Sequence, residues 1–438
     1  MGNHEDGRSP DHTGRNIVIL CDGTGNEISE NISNVLKLYR CLRKTAKTSP
    51  RQFVYYDPGV GTLAQPSTWH RIRANISLVL GLATGYGLDD NVLAAYQFLV
   101  NHWQEGDRIY LFGFSRGAYT VRVLAGLIHK IGLISPEQVN LAGSGLIAYK
   151  QFSTDAPAHG LDLKALTDAG SDENGPLPAG AFDNAAQFAR ITSARWPVID
   201  FVGVWDTVAS VFVPRLDRWI FVVSAEELAF TTDNPSVKVF RQAIAIDERR
   251  RMFRLKPWDD PQAFLSNPYA PDSSRKEQDI LQVWFAGVHG DIGGGYPEAQ
   301  SQISKYPLLW MIGEAGKQKL TVNTSTVNQL AWGRSRKNSP FQYIAPDVAA
   351  DAHDSMNFAW RLLEVLPKRD KYKEWPERKS LLGFYIPDCE PRLIPEGAVI
   401  HESVLKRMAA RKDYKPVNMP KSYKIFDMPV EPPAHAAE

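Results

Sequence analysis

A chain of 438 residues with 50 Lys and Arg against 49 Asp and Glu has a formal charge of +1, which excludes an electrostatic nucleic-acid binder. At 43% hydrophobic and 23% charged residues it is globular in composition and long enough for one large core or a core plus an accessory region. Its three cysteines, Cys21, Cys41 and Cys389, are odd in number and widely spaced, the pattern of neither a disulfide framework nor a zinc site.

Residues 1–14 are polar, lack the apolar core of a signal peptide, and read as a disordered terminus. The longest apolar runs, such as Ile76 to Leu82, are too short and too interrupted to span a bilayer. The expected location is therefore cytoplasmic, although export of an already folded chain would leave the same pattern. No repeat of solenoid or propeller period is present.

Arg15 to Cys21 is apolar and β-branched, a buried strand that stops at the turn-formers Asp22-Gly23-Thr24-Gly25-Asn26. Ser33 to Leu42 has helical spacing, with Ser33 or Asn34 as the cap. Gln52 to Tyr56 is a second strand, ended by Asp57-Pro58-Gly59. Asp89 to Trp103 places Val92, Leu93, Tyr96, Leu99 and Val100 on one helical stripe. Then Ile109 to Phe112 reads as a strand, Gly113-Phe114-Ser115-Arg116-Gly117 as a tight turn, and Ala118 to Ile128 as a helix. Strand, Gly-x-Ser-x-Gly, helix is the pattern of a nucleophile elbow, where the serine stands clear of the sheet and small neighbours relieve crowding.

From Gln151 to Asn184 the chain turns to Gly, Pro, Asp, Ala and Ser, an insertion read as a lid or as a solvated loop. Arg195 to Trp205 resumes the strand pattern and ends at Asp206. The apolar residues between Val208 and Phe230 fit the wall of an acyl pocket or ordinary core. The charged run Asp247 to Arg251 reads as a helix face with local ion pairs and is assigned no chemistry. Ile280 to Val288 is another strand, followed at once by His289 on a glycine-dense loop, with Asp291 steering that loop. Tyr306 to Glu314 looks helical. Beyond it come short amphipathic stretches such as Met356 to Val365, and a tail with Lys406, Arg407, Arg411, Lys412, Lys415, Lys421 and Lys424. Such a tail suits a phospholipid surface or plain solvent.

Alternating strands and helices predict an α/β fold of α/β-hydrolase type, a mostly parallel central sheet with helices on both faces. The catalytic domain is expected over 15–315, with an insertion at about 151–190, and a mainly helical C-terminal extension over 316–438 packed on or beside it. Ser115, Asp206 and His289 each follow a predicted strand, in the chain order of an α/β-hydrolase triad. In a parallel sheet those strand ends share one edge, so hydroxyl, carboxylate and imidazole are expected to converge. Ser115 is the expected nucleophile, His289 its base and Asp206 the group that orients the imidazole. The oxyanion donors are expected to be the Arg116 N–H and an N–H of Gly23 or Thr24.

Five segments also resemble an α/β-hydrolase family that includes the lipase effectors of bacterial type VI secretion systems. They are Cys21 to Asn26, Tyr56 to Thr62, Gly113 to Ala118, Gly203 to Val208 and Val288 to Tyr296. The resemblance spans roughly residues 15 to 310. It implies a Ser-Asp-His hydrolase without a cofactor, carried on Ser115, Asp206 and His289, with phospholipid the substrate of the effector members.

Two other readings use the same residues. Asp22, Asp206, His289 and Asp291 are a donor set that a metal-dependent phosphoester hydrolase could use, although the elbow serine would then be unexplained. A haloacid-dehalogenase phosphatase, whose loop Asp22-Gly23-Thr24 resembles, fails because Leu20 stands where its first carboxylate belongs. The third reading is a catalytically silent fold used for binding. Acyl preference, head-group preference and oligomeric state are not legible in the sequence.

Overall fold

The computed structural model describes residues 14–23, 31–59, 87–159, 183–208, 212–214, 223–225 and 228–427, the last apart from 267, 269, 270, 357, 366, 371 and 372. Its centre is an eight-stranded sheet, β1 (Asn16–Cys21), β2 (Gln52–Asp57), β3 (Arg108–Phe114), β4 (Ile199–Trp205), β5 (Val239–Ala245), β6 (Asp279–Phe285), β7 (Ala398–His401) and β8 (Tyr423–Phe426). Every neighbouring pair is parallel, in the order β2-β1-β3-β4-β5-β6-β7-β8. The chain winds one way from β1 to β2 and the other way from β3 onward. The crevice at the carboxyl ends of β1 and β3 is thus a topological switch point, where open α/β sheets place their chemistry.

The central strands read as unbroken apolar runs because both faces are covered. From β1, Ile17, Ile19 and Cys21 enter one core with α2 (Leu88–His102), α3 (Arg116–Ile131) and α4 (Ala142–His159). Val18 and Leu20 enter the other with α1 (Asn34–Cys41), α5 (Lys305–Lys317) and α6 (Thr324–Leu330). This two-face burial, at about 1.5–3 kcal/mol per large side chain, is the main force holding the sheet in register. Ser33 is the cap of α1: its hydroxyl accepts the Leu36 N–H at 3.1 Å. Among the described residues no helix is long and apolar enough to cross a membrane.

The structure differs from the sequence reading in four places. The region after 315, expected to be mainly helical, also carries strands: β7 and β8 extend the sheet, Ile400 of β7 packs a third core with Ile394 and Val404, and Phe426 of β8 packs on the second. The segment before the charged run is a strand, β5, and Asp247 to Arg250 is the irregular stretch after it rather than a helix face, with Arg251 opening a single 3-10 turn. Residues 151–159 continue α4, and Asn184 opens a short helix; positions 160–182 of the insertion lie outside the described residues, as does most of the supposed pocket wall between 208 and 228. Finally, the basic tail is partly neutralised. Lys406 pairs with Glu402 at 2.6 Å and Arg411 with Asp351 and Asp413 at 2.6 and 2.9 Å. Arg407 is buried against the Val348 and Ala350 carbonyls, which leaves Lys412, Lys415, Lys421 and Lys424 exposed.

Candidate active site

Ser115 stands between β3 and α3 with φ 57° and ψ −121°, a conformation that a non-glycine residue adopts only where its surroundings enforce it. Its N–H donates to the Trp205 carbonyl at 3.1 Å, which ties the elbow to the end of β4. The two glycines are required by contact. A Cβ on Gly117 would overlap the carbonyl oxygens of Cys21 and Asp22, and one on Gly113 would overlap the Gly117 carbonyl. The helix therefore begins pressed against the end of β1. Gly117→Ala is expected to destabilise the fold by about 1–3 kcal/mol as an overpacked site and to cut turnover by displacing Ser115. Thermal denaturation beside an ester-hydrolysis assay checks this, and an unchanged melting point with full turnover would contradict it.

Asp206 follows β4 in a second positive-φ position, 40°, and is fully buried. Its Oδ2 lies 2.5 Å from His289 Nδ1. The imidazole is held between the Phe114 ring, at 4.6 Å between centroids, and the Phe253 ring, at 4.8 Å. With Nδ1 on the carboxylate, Nε2 is the nitrogen left for proton transfer. The predicted carboxylate–imidazole contact is thus formed. No hydrogen bond joins Ser115 to His289 among the described residues; their link is the Phe114 side chain, which precedes the serine and lies on the imidazole. Burial pulls the His289 pKa down and the Asp206 contact pulls it back up, leaving it below the ordinary 6.5. Burial alone would raise Asp206, but Arg392 and His289 reverse that and hold it well below the usual carboxylate range.

Two contacts of the candidate site escape sequence reasoning. Arg392 grips Asp206 with Nη1 on Oδ1 at 2.5 Å and Nη2 on Oδ2 at 3.0 Å. Glu248, inside the charged run, accepts the His289 main-chain N–H at 3.1 Å while paired with Arg250 at 2.8 Å. It anchors the short helix His289–Gly293 that carries the imidazole. A lone arginine between Pro391 and Leu393-Ile394-Pro395 was the one available signal for Arg392, a cation in an apolar, proline-bounded stretch.

The other expected residues are placed as follows. The Arg116 N–H opens α3, at the positive end of the helix dipole. The Gly23 N–H is turned onto Asp22 Oδ1 at 2.7 Å, so it is not presented to the crevice as an oxyanion donor; Thr24 lies outside the described residues. Asp22 also accepts from Tyr56 Oη at 2.9 Å and from the Ser33 hydroxyl, which fastens the loop after β1 to β2 and to the cap of α1. Asp291 accepts the Val288 N–H at 3.0 Å and faces His353 Nδ1 at 2.7 Å. Of the metal donor set Asp22, Asp206, His289 and Asp291, only Asp206 and His289 are in contact with each other. Asp22 is engaged by Tyr56 and Ser33 and Asp291 by His353, and among the described residues no group of three His, Cys, Asp or Glu is arranged to hold a metal ion.

The all-parallel sheet, with a strained serine at a strand-to-helix elbow over the switch point, defines an α/β-hydrolase-like catalytic domain. The chain belongs to the family of Tle1-like catalytic domains of type VI secretion phospholipase effectors, whose description matches residues 15–314. A relative is an uncharacterised protein of Saccharomyces cerevisiae, 30% identical over 450 residues that cover 79% of this chain and 62% of that protein. The chain thus spans about three fifths of the length of that curated relative. Among solved structures, an uncharacterised protein from Pseudomonas aeruginosa is 19% identical with a TM-score of 0.36, covering 71% of this chain and 46% of the other. A Tle1 effector bound to the VgrG spike of the type VI secretion system is 17% identical with a TM-score of 0.30, covering 69% and 56%.

Proposed function

We propose that this protein is a serine hydrolase that cleaves carboxylic esters, phospholipid acyl esters above all, through an acyl-enzyme. The observation that carries the reading is the 2.5 Å Asp206–His289 contact beside a serine held at positive φ. In the first half-reaction Ser115 Oγ attacks the acyl carbon while His289 Nε2 takes its proton. The oxyanion meets the Arg116 N–H, and the protonated imidazole, stabilised by Asp206, passes the proton to the departing alcohol oxygen. Water then enters, gives its proton to His289, and releases the fatty acid as the proton returns to Ser115.

Two things support phospholipid as the ester. The family is one of phospholipase effectors. Beside the nucleophile, the half-buried Arg116 guanidinium has no carboxylate partner among the described residues; its Nε is unpartnered and burial alone pulls its pKa down to about 10. A desolvated cation without a counter-charge is satisfied by an anionic substrate such as a lipid phosphate.

The test is mass-spectrometric product analysis on phospholipid vesicles with EDTA present. Free fatty acid and lysophospholipid are the expected products, and Arg116→Gln is expected to lower the preference for phospholipid over a neutral p-nitrophenyl ester about ten- to hundredfold, the worth of one charge-assisted hydrogen bond. Release of a phosphorylated head group, or activity abolished by EDTA, would overturn the reading in favour of metal-dependent phosphoester chemistry. An inert protein on lipids and esters alike would make the fold a binding module.

A further inference from the structure

We propose that Arg392 is a positioning residue for the candidate triad: its guanidinium holds both oxygens of Asp206 and takes a share of the charge that would otherwise go wholly to His289. The inference rests on the triad reading of Ser115, Asp206 and His289. Its basis is the set of four donors on one buried carboxylate. Asp206 Oδ1 accepts from Arg392 Nη1 at 2.5 Å and from the Ala245 N–H at 3.0 Å; Oδ2 lies 2.5 Å from His289 Nδ1 and accepts from Arg392 Nη2 at 3.0 Å. The guanidinium is itself fixed, donating to the Ala245 carbonyl at 3.2 Å and the Phe253 carbonyl at 2.6 Å. Asn418 holds its main-chain carbonyl at 3.0 Å. Arg392 is 4% exposed and Asp206 0%, so water screens neither.

In the general template the triad carboxylate has the imidazole as its one charged partner and stabilises the imidazolium with its full charge. Here a permanent cation sits on the same two oxygens. The charged groups around His289 are Asp206 after β4, Glu248 and Arg250 after β5, Arg392 from the C-terminal region, and Asp291 within its own short helix, paired with His353. Burial does most to lower the imidazole, Asp206 raises it again, and the paired Arg250 and Glu248 act in opposite senses; Arg392 reaches it through the shared Asp206 carboxylate. With the carboxylate shared, the imidazole regains less of what burial takes away, and the base stays neutral, able to accept the serine proton, in mildly acidic solution. A second consequence is that the hydrolase domain depends on residues past its family boundary at 314 for this contact.

The experiment is a pH titration of the His289 imidazole by NMR in the full, 15N-histidine-labelled chain, its signal assigned with His289→Gln. It is paired with the pH profile of kcat/KM on a neutral soluble ester. In the wild type the midpoint is expected below the ordinary 6.5. Arg392→Gln, which keeps a donor but loses the charge, is expected to raise the midpoint and the acidic limb of kcat/KM together by about one pH unit. Arg392→Lys, which keeps the charge, is expected to stay within ~0.3 unit of wild type. Equal midpoints in wild type and Arg392→Gln would overturn the inference, as would a Lys variant that shifts as far as the Gln variant. Should the Gln variant fail to fold, Arg392→Met is titrated in its place with the same expected rise, and a wild-type midpoint above about 7 would also overturn the inference, since it would show an imidazole feeling the undivided carboxylate. The NMR arm reads ionisation whether or not anything is hydrolysed. Absence of Ser115-dependent hydrolysis therefore sinks the triad reading, and an unmoved midpoint sinks this one.

Discussion

Ser115→Ala is expected to remove about a millionfold in kcat and to leave the melting point nearly unchanged. The two halves of that expectation have separate causes. The hydroxyl is the only atom lost, and no other group at the elbow can form the acyl-enzyme. The backbone conformation, φ 57°, costs alanine about what it costs serine, and the Trp205 carbonyl still receives the residue 115 N–H. Kinetics on a p-nitrophenyl ester with denaturation of the same sample checks both. Residual turnover above about one per cent of wild type would mean that the chemistry does not pass through this serine.

Asp206→Asn is expected to damage both activity and stability. Turnover should fall about 10⁴-fold, because an amide in place of the carboxylate misorients the imidazole and cannot stabilise its protonated form. Stability should fall by about 3–5 kcal/mol, because the substitution leaves the buried Arg392 guanidinium without its counter-charge. The sign of the pH dependence follows from the lowered pKa of Asp206. A carboxyl whose folded pKa lies below its unfolded value stabilises the fold above the unfolded value, about 3.9, and loses that contribution as pH falls through the folded one. The stability gap between wild type and Asp206→Asn is therefore full at neutral pH and narrows below about pH 4. Chemical denaturation at several pH values measures it. A gap that widened on acidification would contradict the ion pair.

How far the sequence spoke for the site depended on where each residue's signal lay. Ser115, Asp206 and His289 each follow an apolar strand, and Ser115 and His289 lie among glycines, so a local pattern marks them, and chain order supplied the rest. The central strands were readable for the same reason, since burial on both faces makes them unbroken hydrophobic runs. The last two strands were not. Ala398–His401 and Tyr423–Phe426 are four residues each, and the second is largely exposed, so neither offers a period to detect. Arg392 and Glu248 owe their roles to contacts made across the fold, 186 and 41 residues away in sequence, with nothing local to mark them. The Gly23 N–H was misjudged because only coordinates reveal that the neighbouring Asp22 carboxylate turns back to claim it.

The most direct test of a nucleophilic serine is covalent capture. The 438-residue chain is incubated with a fluorophosphonate, digested, and its peptides analysed by mass spectrometry. One phosphonyl adduct on Ser115 is predicted, formed quickly in the wild type and at least a hundredfold more slowly in His289→Ala, which lacks the base. Hydrolysis of phospholipid by a sample whose Ser115 remains unlabelled, or labelling at Ser115 that ignores the loss of His289, would contradict the account.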